Sequence, residues 1–257
     1  MRLAIVGAGN AGSITALHYH KYLSEEIGDS FEITIYHSPH EYPMERVGQG
    51  STLPVTALMQ SALGINWYNN LIDGTVKGGI LYEGWGKKKD KIYHSFGPSA
   101  MAMHFVPQKL SKAVLESGYF NVIEKTITDP EKEIDADVIF DCRGRHNRDL
   151  DNYDNLINPL NTVILSKKFE KDYDLTYTRC VATPNGWTFV IPNQDSVSYG
   201  YLYNKEITSK DDAIADFTTR FNLDYITDTL YFDNYVAKNF KVGERTILQG
   251  NMYGFIE

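Results

Sequence analysis

What most constrains this chain is its first dozen residues. Arg2 to Val6 is a short apolar run of strand type, and Gly7-Ala8-Gly9-Asn10-Ala11-Gly12 follows it at once in a GxGxxG pattern. Behind the glycines, Ile14, Leu17, Lys21 and Leu23 recur at helical spacing up to Gly28, and Phe31 to Tyr36 is again rich in β-branched and aromatic residues. Strand, glycine turn, helix and strand make a βαβ unit, whose strands pair in parallel because the crossover returns the chain to the same end of the sheet. An α/β fold with an open, doubly wound sheet is therefore expected. Each glycine then has a reason: Gly7 makes the tight turn, Gly9 lets the backbone approach a pyrophosphate, and Gly12 lets helix pack closely on strand. Phosphates would rest on amide N–H groups at the helix start, at Asn10 and Ala11.

The end of the second strand departs from the usual dinucleotide pattern. An acid for the ribose hydroxyls is absent, and Tyr36, His37 and Ser38 stand in its place. His37 is either a hydrogen-bond partner for a ribose or a plain histidine in a βα loop. The missing acid does not separate NAD from FAD.

Farther along, helices are expected over Pro54 to Leu63 and Pro107 to Ser117, the second opening with proline in its first turn. Strands are expected at Val76 to Tyr82, Lys91 to Phe96, Phe120 to Lys125 and Asp137 to Cys142. The last of these ends in Arg143 and Gly144, at the edge where a parallel sheet presents its ligand. From Thr162 to about Tyr203, extended runs broken by Pro184-Asn185-Gly186 and Pro192-Asn193 read as antiparallel hairpins, a second and substrate-facing layer. A helix returns over Ser209 to Phe221, with Ser209 as N-cap and Asp211 and Asp212 in the first turn.

Composition excludes several classes. Among 257 residues, 42% are hydrophobic and 23% charged, which suits a globular chain and not a disordered one. A net charge of -8 argues against nucleic acid and anionic membranes as partners, although a local basic pocket is compatible with it. Cys142 and Cys180 are too few for a disulfide framework and read as free thiols in a reducing compartment. No run of about 18 apolar residues is present, and the chain begins on a strand with no signal peptide, so a cytoplasmic location is expected. His18 and His20 are two apart on a helix and do not face one another, so no metal site is expected. Ser51 lacks the second glycine of a nucleophile elbow.

Several segments, in order, resemble the flavin-dependent halogenase family, the enzymes related to tryptophan halogenases. Gly7 to Gly12 resembles the first FAD loop, and Gly50-Ser51-Thr52-Leu53-Pro54 resembles the Gly-Glu-Ser/Thr-Thr-Ile-Pro loop. Asp73-Gly74-Thr75-Val76-Lys77-Gly78-Gly79 is similar to the segment that carries the catalytic lysine. Ala136 to Cys142 resembles the strand that ends in Asp-Cys-Ser/Thr-Gly. Gly186-Trp187-Thr188-Phe189-Val190-Ile191-Pro192 resembles the Trp-x-Trp-x-Ile-Pro motif, continued by Gly200-Tyr201-Leu202-Tyr203. Leu248-Gln249-Gly250-Asn251-Met252-Tyr253-Gly254-Phe255-Ile256-Glu257 is similar to the Leu-Gly-Asn-Ala segment that packs near the flavin. Gly50 stands where the family has Glu, and Phe189 where it has its second Trp, which keeps an apolar wall but loses an indole N–H. The family continues past its last matched segment whereas this sequence ends at Glu257, so the helical C-terminal part is expected to be absent.

The resemblance implies a Rossmann-like FAD-binding sheet with an antiparallel β substrate layer. One discontinuous unit is expected over residues 1–257, with the nucleotide-binding part at about 1–60, 105–150 and 240–257 and the substrate layer at about 61–104 and 160–239. It implies an oxidoreductase in which FADH2, delivered by a separate flavin reductase, reacts with O2 to give a flavin hydroperoxide. That species would oxidise a halide ion to hypohalous acid, which halogenates an electron-rich aromatic small molecule. Lys77 would hold the halogenating species, since a buried ammonium is a point donor that suits a small acid. Read without the family, Lys77 is as well an edge-strand lysine that guards against aggregation. Cofactor contacts are implied at Gly7, Gly9, Asn10, Ala11, Gly12, His37, Ser51, Thr52, Gly250 and Asn251. Trp67 and Trp85 flank the lysine segment, either to stack on an aromatic substrate or as core. Two further readings are a flavin monooxygenase, which the wall of Trp187 and Phe189 would discriminate, and a non-catalytic flavin-binding protein.

Overall fold

A computed structural model describes residues 1–39, 47–170 and 175–257. Residues 40–46 and 171–174, which fall within the expected nucleotide-binding part and the expected run of hairpins, lie outside the described residues. The glycine-linked unit is present as Arg2–Val6, a helix over Asn10–Ile27 and a strand over Glu32–His37, paired in parallel from Arg2↔Glu32 to Val6↔Tyr36. Six strands form the sheet in the order Lys241–Val242, Thr246–Leu248, Val138–Asp141, Arg2–Val6, Glu32–His37, Asn121–Glu124. The first strand is apolar from Leu3 to Val6, where both of its faces are covered, and only Arg2 at its start is exposed. Leu3 and Ile5 pack with Ala16, Leu17 and Leu110, while Ala4 and Val6 pack with Ile127, Ile134 and Ile139 on the other face.

This order positions the site. From the central strand the chain winds outward through Glu32–His37 to Asn121–Glu124, then reverses to Val138–Asp141 on the other flank. Val6 is in register with Tyr36 on one side and Asp141 on the other, so three strands end level and a crevice opens beyond them.

The second layer has seven strands in the order Asp228–Tyr231, Thr162–Lys168, Val197–Tyr203, Gly186–Pro192, Thr178–Thr183, Gly79–Glu83, Lys91–Ser95. All neighbours are antiparallel except Thr178–Thr183 with Gly79–Glu83. Alternation assigns its faces. Ile164, Val190, Tyr199, Tyr201 and Tyr203 pack on Ala213 and Phe217 of a helix over Lys210–Phe221, whereas Val163, Leu165, Leu202, Trp187 and Phe189 pack on the opposite side. Ser209 caps that helix, its Oγ accepting from the Asp212 amide at 3.1 Å.

One expected strand is in fact two. Val76 to Tyr82 divides at Gly78: Thr75–Lys77 pairs with Ala102–Phe105 in a three-stranded sheet completed by Gln49–Gly50, and Gly79–Glu83 joins the seven-stranded layer. Gly78 is held at the crossing, its amide donating to the Thr176 carbonyl at 2.8 Å and its carbonyl accepting from Phe96 at 2.9 Å. At Gly79 a Cβ would lie 2.3 Å from the His94 carbonyl oxygen, so the glycine admits the neighbouring strand.

A three-stranded sheet that the sequence pattern did not suggest joins Tyr153–Asn155, Tyr235–Ala237 and Gly254–Phe255. It carries the turn Gly250–Met252, because the Tyr153 hydroxyl donates to the Met252 carbonyl and the Tyr235 hydroxyl to the Asn251 carbonyl. Among the described residues no helix is long and apolar enough to cross a membrane.

The turn after the first strand has no room for a side chain at Gly7 or Gly12. A Cβ on Gly12 would stand 1.8 Å from the Gly7 carbonyl oxygen, both of them backbone-fixed. Gly12→Ala is expected to lower stability by about 3 kcal/mol, as overpacking of a tight site does. For a chain of this size that is a fall in Tm of roughly 6–12 °C in a thermal melt, and an unchanged Tm would contradict the contact.

Candidate functional site

Beyond the level strand ends lies a crevice of about 700 Å³. Of the residues expected to contact a cofactor, Gly7, Gly9, Asn10, Ala11, His37, Gly250 and Asn251 line it. Gly7 has φ +106°, and a Cβ there would come within 2.6 Å of the Cys142 carbonyl oxygen, so the ends of Arg2–Val6 and Val138–Asp141 meet backbone to backbone. Gly9 is the extended N-cap of the long helix, and no side chain caps that end, which leaves its first amides for a ligand. Gly12 stands behind the turn. Gly250, at φ +56°, rests on Ala11, where its own Cβ would be 2.5 Å from the alanine methyl.

Arg143 and Gly144 line the other half of the crevice, at the edge where a ligand was expected, together with a run that the sequence reading missed, Arg145-His146-Asn147. Its signal was a cluster of basic residues, directly after a parallel strand, in an acidic chain. Arg143 grips Asp141 with two nitrogens, Nε at 2.9 Å and Nη2 at 2.7 Å. Its Nη1 donates to the carbonyls of Ile127 at 3.0 Å and Thr128 at 2.8 Å. Asp141 is only 2% exposed, so this bidentate pair is desolvated and fixes the strand end to the neighbouring loop. Burial pushes the Cys142 thiol up to about 12, which leaves it protonated and unreactive.

Arg145 differs from Arg143. It forms no ion pair among the described residues, and its Nη1 is buried without a hydrogen-bond partner. The Asn10 Oδ1 at the helix start is likewise buried and unpartnered. Two orphaned polar atoms on residues lining one crevice fit a polar ligand that would complete them. The glycine turn, the uncapped helix start and the Arg145 donor suit the pyrophosphate of the group that the pattern implies, whereas Asn10 Oδ1, an acceptor, would take a hydroxyl of that group.

Lys77 is elsewhere, on the far side of the strand Gln49–Gly50. Gln49 lines the crevice, and the next residue, Gly50, lies under the lysine: a Cβ there would be 2.8 Å from Lys77 Nζ. Glycine at this position thus gives the ammonium room. Lys77 is half-buried, its Nζ donating to the Ser51 carbonyl at 3.2 Å and standing 5.7 Å from the centre of the Phe96 ring. Burial lowers its pKa below the ordinary lysine value, an effect that Cys180 opposes. Thr75–Lys77 is indeed an edge strand of its three-stranded sheet, but Lys77 is only partly exposed there, so its ammonium is not held out in solvent as an edge-guarding lysine would be.

Ser51 and Thr52 stand on this side, not in the crevice. The buried Ser51 hydroxyl is shared with Thr56 Oγ1 at 2.6 Å and accepts from the Met103 amide at 3.0 Å, while exposed Thr52 is the N-cap of the helix Leu53–Leu63. Trp67 and Trp85 are 44% and 51% exposed, so neither is core. Trp85 Nε1 donates to the Cys180 carbonyl at 2.8 Å, and its ring lies 6.3 Å from that of Trp187. Trp187 and Phe189 form a wall with ring centres 6.2 Å apart, packed in the same cluster as Phe255, which lines the crevice. Phe189 lies flat over Gly200, where a Cβ would be 2.0 Å from the ring, and is in register with Cys180. The wall therefore runs from the crevice to the neighbourhood of Lys77. Among the described residues, no group of three His, Cys, Asp or Glu could hold a metal ion.

The sequence matches the family model of the tryptophan halogenases over residues 2–110 and 108–257. A comparison with curated proteins gives no match. Among solved structures, all of this chain superposes on a flavin-dependent halogenase from Brevundimonas sp. BAL3, with a TM-score of 0.79, 17% identity and 67% of that chain covered. A tryptophan halogenase from Shewanella frigidimarina is similar with a TM-score of 0.82, 17% identity and the same shares, 100% and 67%. A tryptophan 6-halogenase from Streptomyces toxytricini gives a TM-score of 0.78 and 18% identity, again over 100% of this chain and 67% of that one. The chain thus spans about two thirds of the length of these structures.

His104, on the strand beside Lys77, gives the site a measurable pH response. It is fully buried, its Nε2 paired with Thr178 Oγ1 at 2.9 Å, and burial with the nearby Lys77 charge pushes its pKa down from 6.5 to about 3. In the unfolded chain this histidine takes a proton below pH 6.5, while the folded chain refuses it until about pH 3. Its contribution to stability is whole above pH 6.5 and is lost as pH falls toward 3, by up to ~1.4 kcal/mol per pH unit. Urea unfolding across that window is expected to show this slope, and His104→Gln to remove it.

Proposed function

Because the chain belongs to the tryptophan halogenase family, we propose that it is a flavin-dependent halogenase acting on an electron-rich aromatic small molecule. Its residues 1–257 would work as one discontinuous unit, with FAD in the crevice and the substrate beside the seven-stranded layer. A separate flavin reductase would deliver the cofactor as FADH2. Bound there, reduced FAD with O2 supplies the oxidising equivalents that convert a halide ion to hypohalous acid.

The chain's own residues have three tasks in this reading. The amides at Gly9, Asn10 and Ala11 hold the pyrophosphate on the positive end of the helix, and Gly7 lets it approach. His37, at the end of the second strand, faces the same crevice and would reach a ribose. Gly250 and Asn251 cover the helix start, kept in place by the two tyrosine hydroxyls that hold their turn. The second task is exclusion: the wall of Trp187 and Phe189 keeps the aromatic substrate from the flavin, so that only a small oxidant passes between the sites. Ser51 and Thr52 would act at this passage, through the backbone that separates crevice from lysine.

The third task is Lys77. Its ammonium is a single compact donor, partly desolvated, and such a donor binds a small oxyacid more strongly than it would in water. It would hold hypohalous acid by a hydrogen bond from Nζ to the oxygen, with the halogen turned toward the ring to be substituted. As carbon attacks halogen the oxygen–halogen bond would break, the departing hydroxide would take the Nζ proton and leave as water, and the proton lost from the substituted ring carbon would return Lys77 to the ammonium form. The observation that carries the reading is the one-residue step from Gln49 in the crevice wall to Gly50 beneath Lys77, which connects a cofactor site to a half-buried lysine without merging them.

The test is turnover of the purified chain with FAD, a flavin reductase, bromide and monochlorodimedone. Bromination is expected, and FAD binding without it would favour a direct oxygenation or a non-catalytic flavoprotein. Lys77→Met is expected to lower product formation by more than about 100-fold, the scale of losing one well-placed transition-state donor, with FAD affinity unchanged. Lys77→Arg should restore little, since a planar fork does not fit where a point donor does. Retained bromination in Lys77→Met would remove the lysine from the mechanism.

A further inference from the structure

Within the crevice, the charged residues other than Arg145 have partners. Lys125 pairs with Glu133 at 3.2 Å, Lys112 lies 3.9 Å from Glu116, and Arg143 is closed on Asp141. Arg145 is also held in place. Its carbonyl accepts from Arg148 Nε at 2.9 Å, its guanidinium lies 5.8 Å from the Phe255 ring, and its turn, Arg145–Asn147, packs on Gly250–Met252. That second turn rests on Ala11 at the start of the long helix. A fixed cation and the positive end of a helix therefore line one crevice, and among the described residues no ion pair closes on Arg145. Burial lowers the Arg145 pKa, Arg148 adds to the effect, and Tyr235 and Asp233 offset it only in part.

Two like-signed features gathered around a space are repulsive until an anion enters it, and an anion between them then gains from both. We propose that Arg145 binds the pyrophosphate of FAD, taking one phosphate while the helix amides of Asn10 and Ala11 take the other. The proposal rests on the cofactor reading given above. It adds a residue outside the glycine motif, and it accounts for an unpaired cation beside the mouth of the dinucleotide turn. A free halide ion shares the anionic chemistry, so the experiment separates the two.

The experiment titrates the intact chain with FAD and with riboflavin, which has no phosphate, following flavin fluorescence at several KCl concentrations. Arg145→Met is expected to weaken FAD binding roughly 10- to 100-fold, the range for losing a charged hydrogen-bonding group, and to leave riboflavin binding unchanged. The dependence of FAD affinity on KCl should be shallower in Arg145→Met than in the unaltered chain, and Arg145→Lys should recover part of the loss by supplying the charge without the fork. Thermal melts without flavin establish that both variants are folded. Equal losses for FAD and riboflavin, or no loss for either, would overturn the assignment. So would unchanged FAD affinity with a shifted bromide dependence of turnover, which would make the anion a halide. An unaltered chain that binds no FAD would instead overturn the cofactor reading on which the proposal stands.

Discussion

The structure depends on a meeting of backbones that no side chain could enter. The Gly7 carbonyl sits where a Cβ of Gly12 would be, and the Cys142 carbonyl sits where a Cβ of Gly7 would be. Helix, first strand and the strand on the other flank of the sheet are thus joined at main-chain distance. Because the first two contacts use glycine, the helix start comes close to the level ends of three parallel strands, and its free amides open onto the crevice. The turn Gly250–Met252 adds a fourth element by the same means, resting on Ala11 through a glycine. Everything that could hold an anionic cofactor is arranged around this point.

Charge is then distributed unevenly around it. An acidic chain keeps a basic lining in one crevice, and the two arginines there have different duties. Arg143 is a structural cation, satisfied by a buried carboxylate and two carbonyls. Arg145, two residues later, has its guanidinium beside Phe255, its Nη1 buried without a hydrogen-bond partner and no ion pair among the described residues. Removing Asp141 would leave Arg143 with only the two carbonyls at Nη1 and an uncompensated, largely buried charge.

The seven-stranded layer contributes separation. Its alternation sends tyrosines to one face, under the helix Lys210–Phe221, and Trp187 and Phe189 to the other, where they join Phe255. The division of one expected strand at Gly78 matters here. Had Val76 to Tyr82 run on in one sheet, Lys77 would have belonged to the seven-stranded layer; because the chain crosses between sheets, Lys77 pairs with Ala102 and covers Gly50. A half-buried lysine at a sheet crossing is a consequence of that topology.

Sequence alone determined the βαβ unit, its glycine turn, the parallel sheet and the antiparallel layer, since these follow from short-range periodicity and from residues whose conformational limits are local. It also supplied the motifs that carry the family resemblance, including Lys77 and the Gly250-Asn251 segment. Tertiary structure decided the rest. The sheet of Tyr153–Asn155, Tyr235–Ala237 and Gly254–Phe255 unites segments about 80 and 20 residues apart, too short and too distant for any periodic signal. That Ser51 and Thr52 stand with the lysine and not in the crevice, that Gly50 makes room for an ammonium, and that Arg143 is paired while Arg145 is not, all depend on partners from remote parts of the chain. Local sequence encodes the backbone a residue can adopt, whereas its charge partners and burial are set by which distant strand ends the sheet brings level.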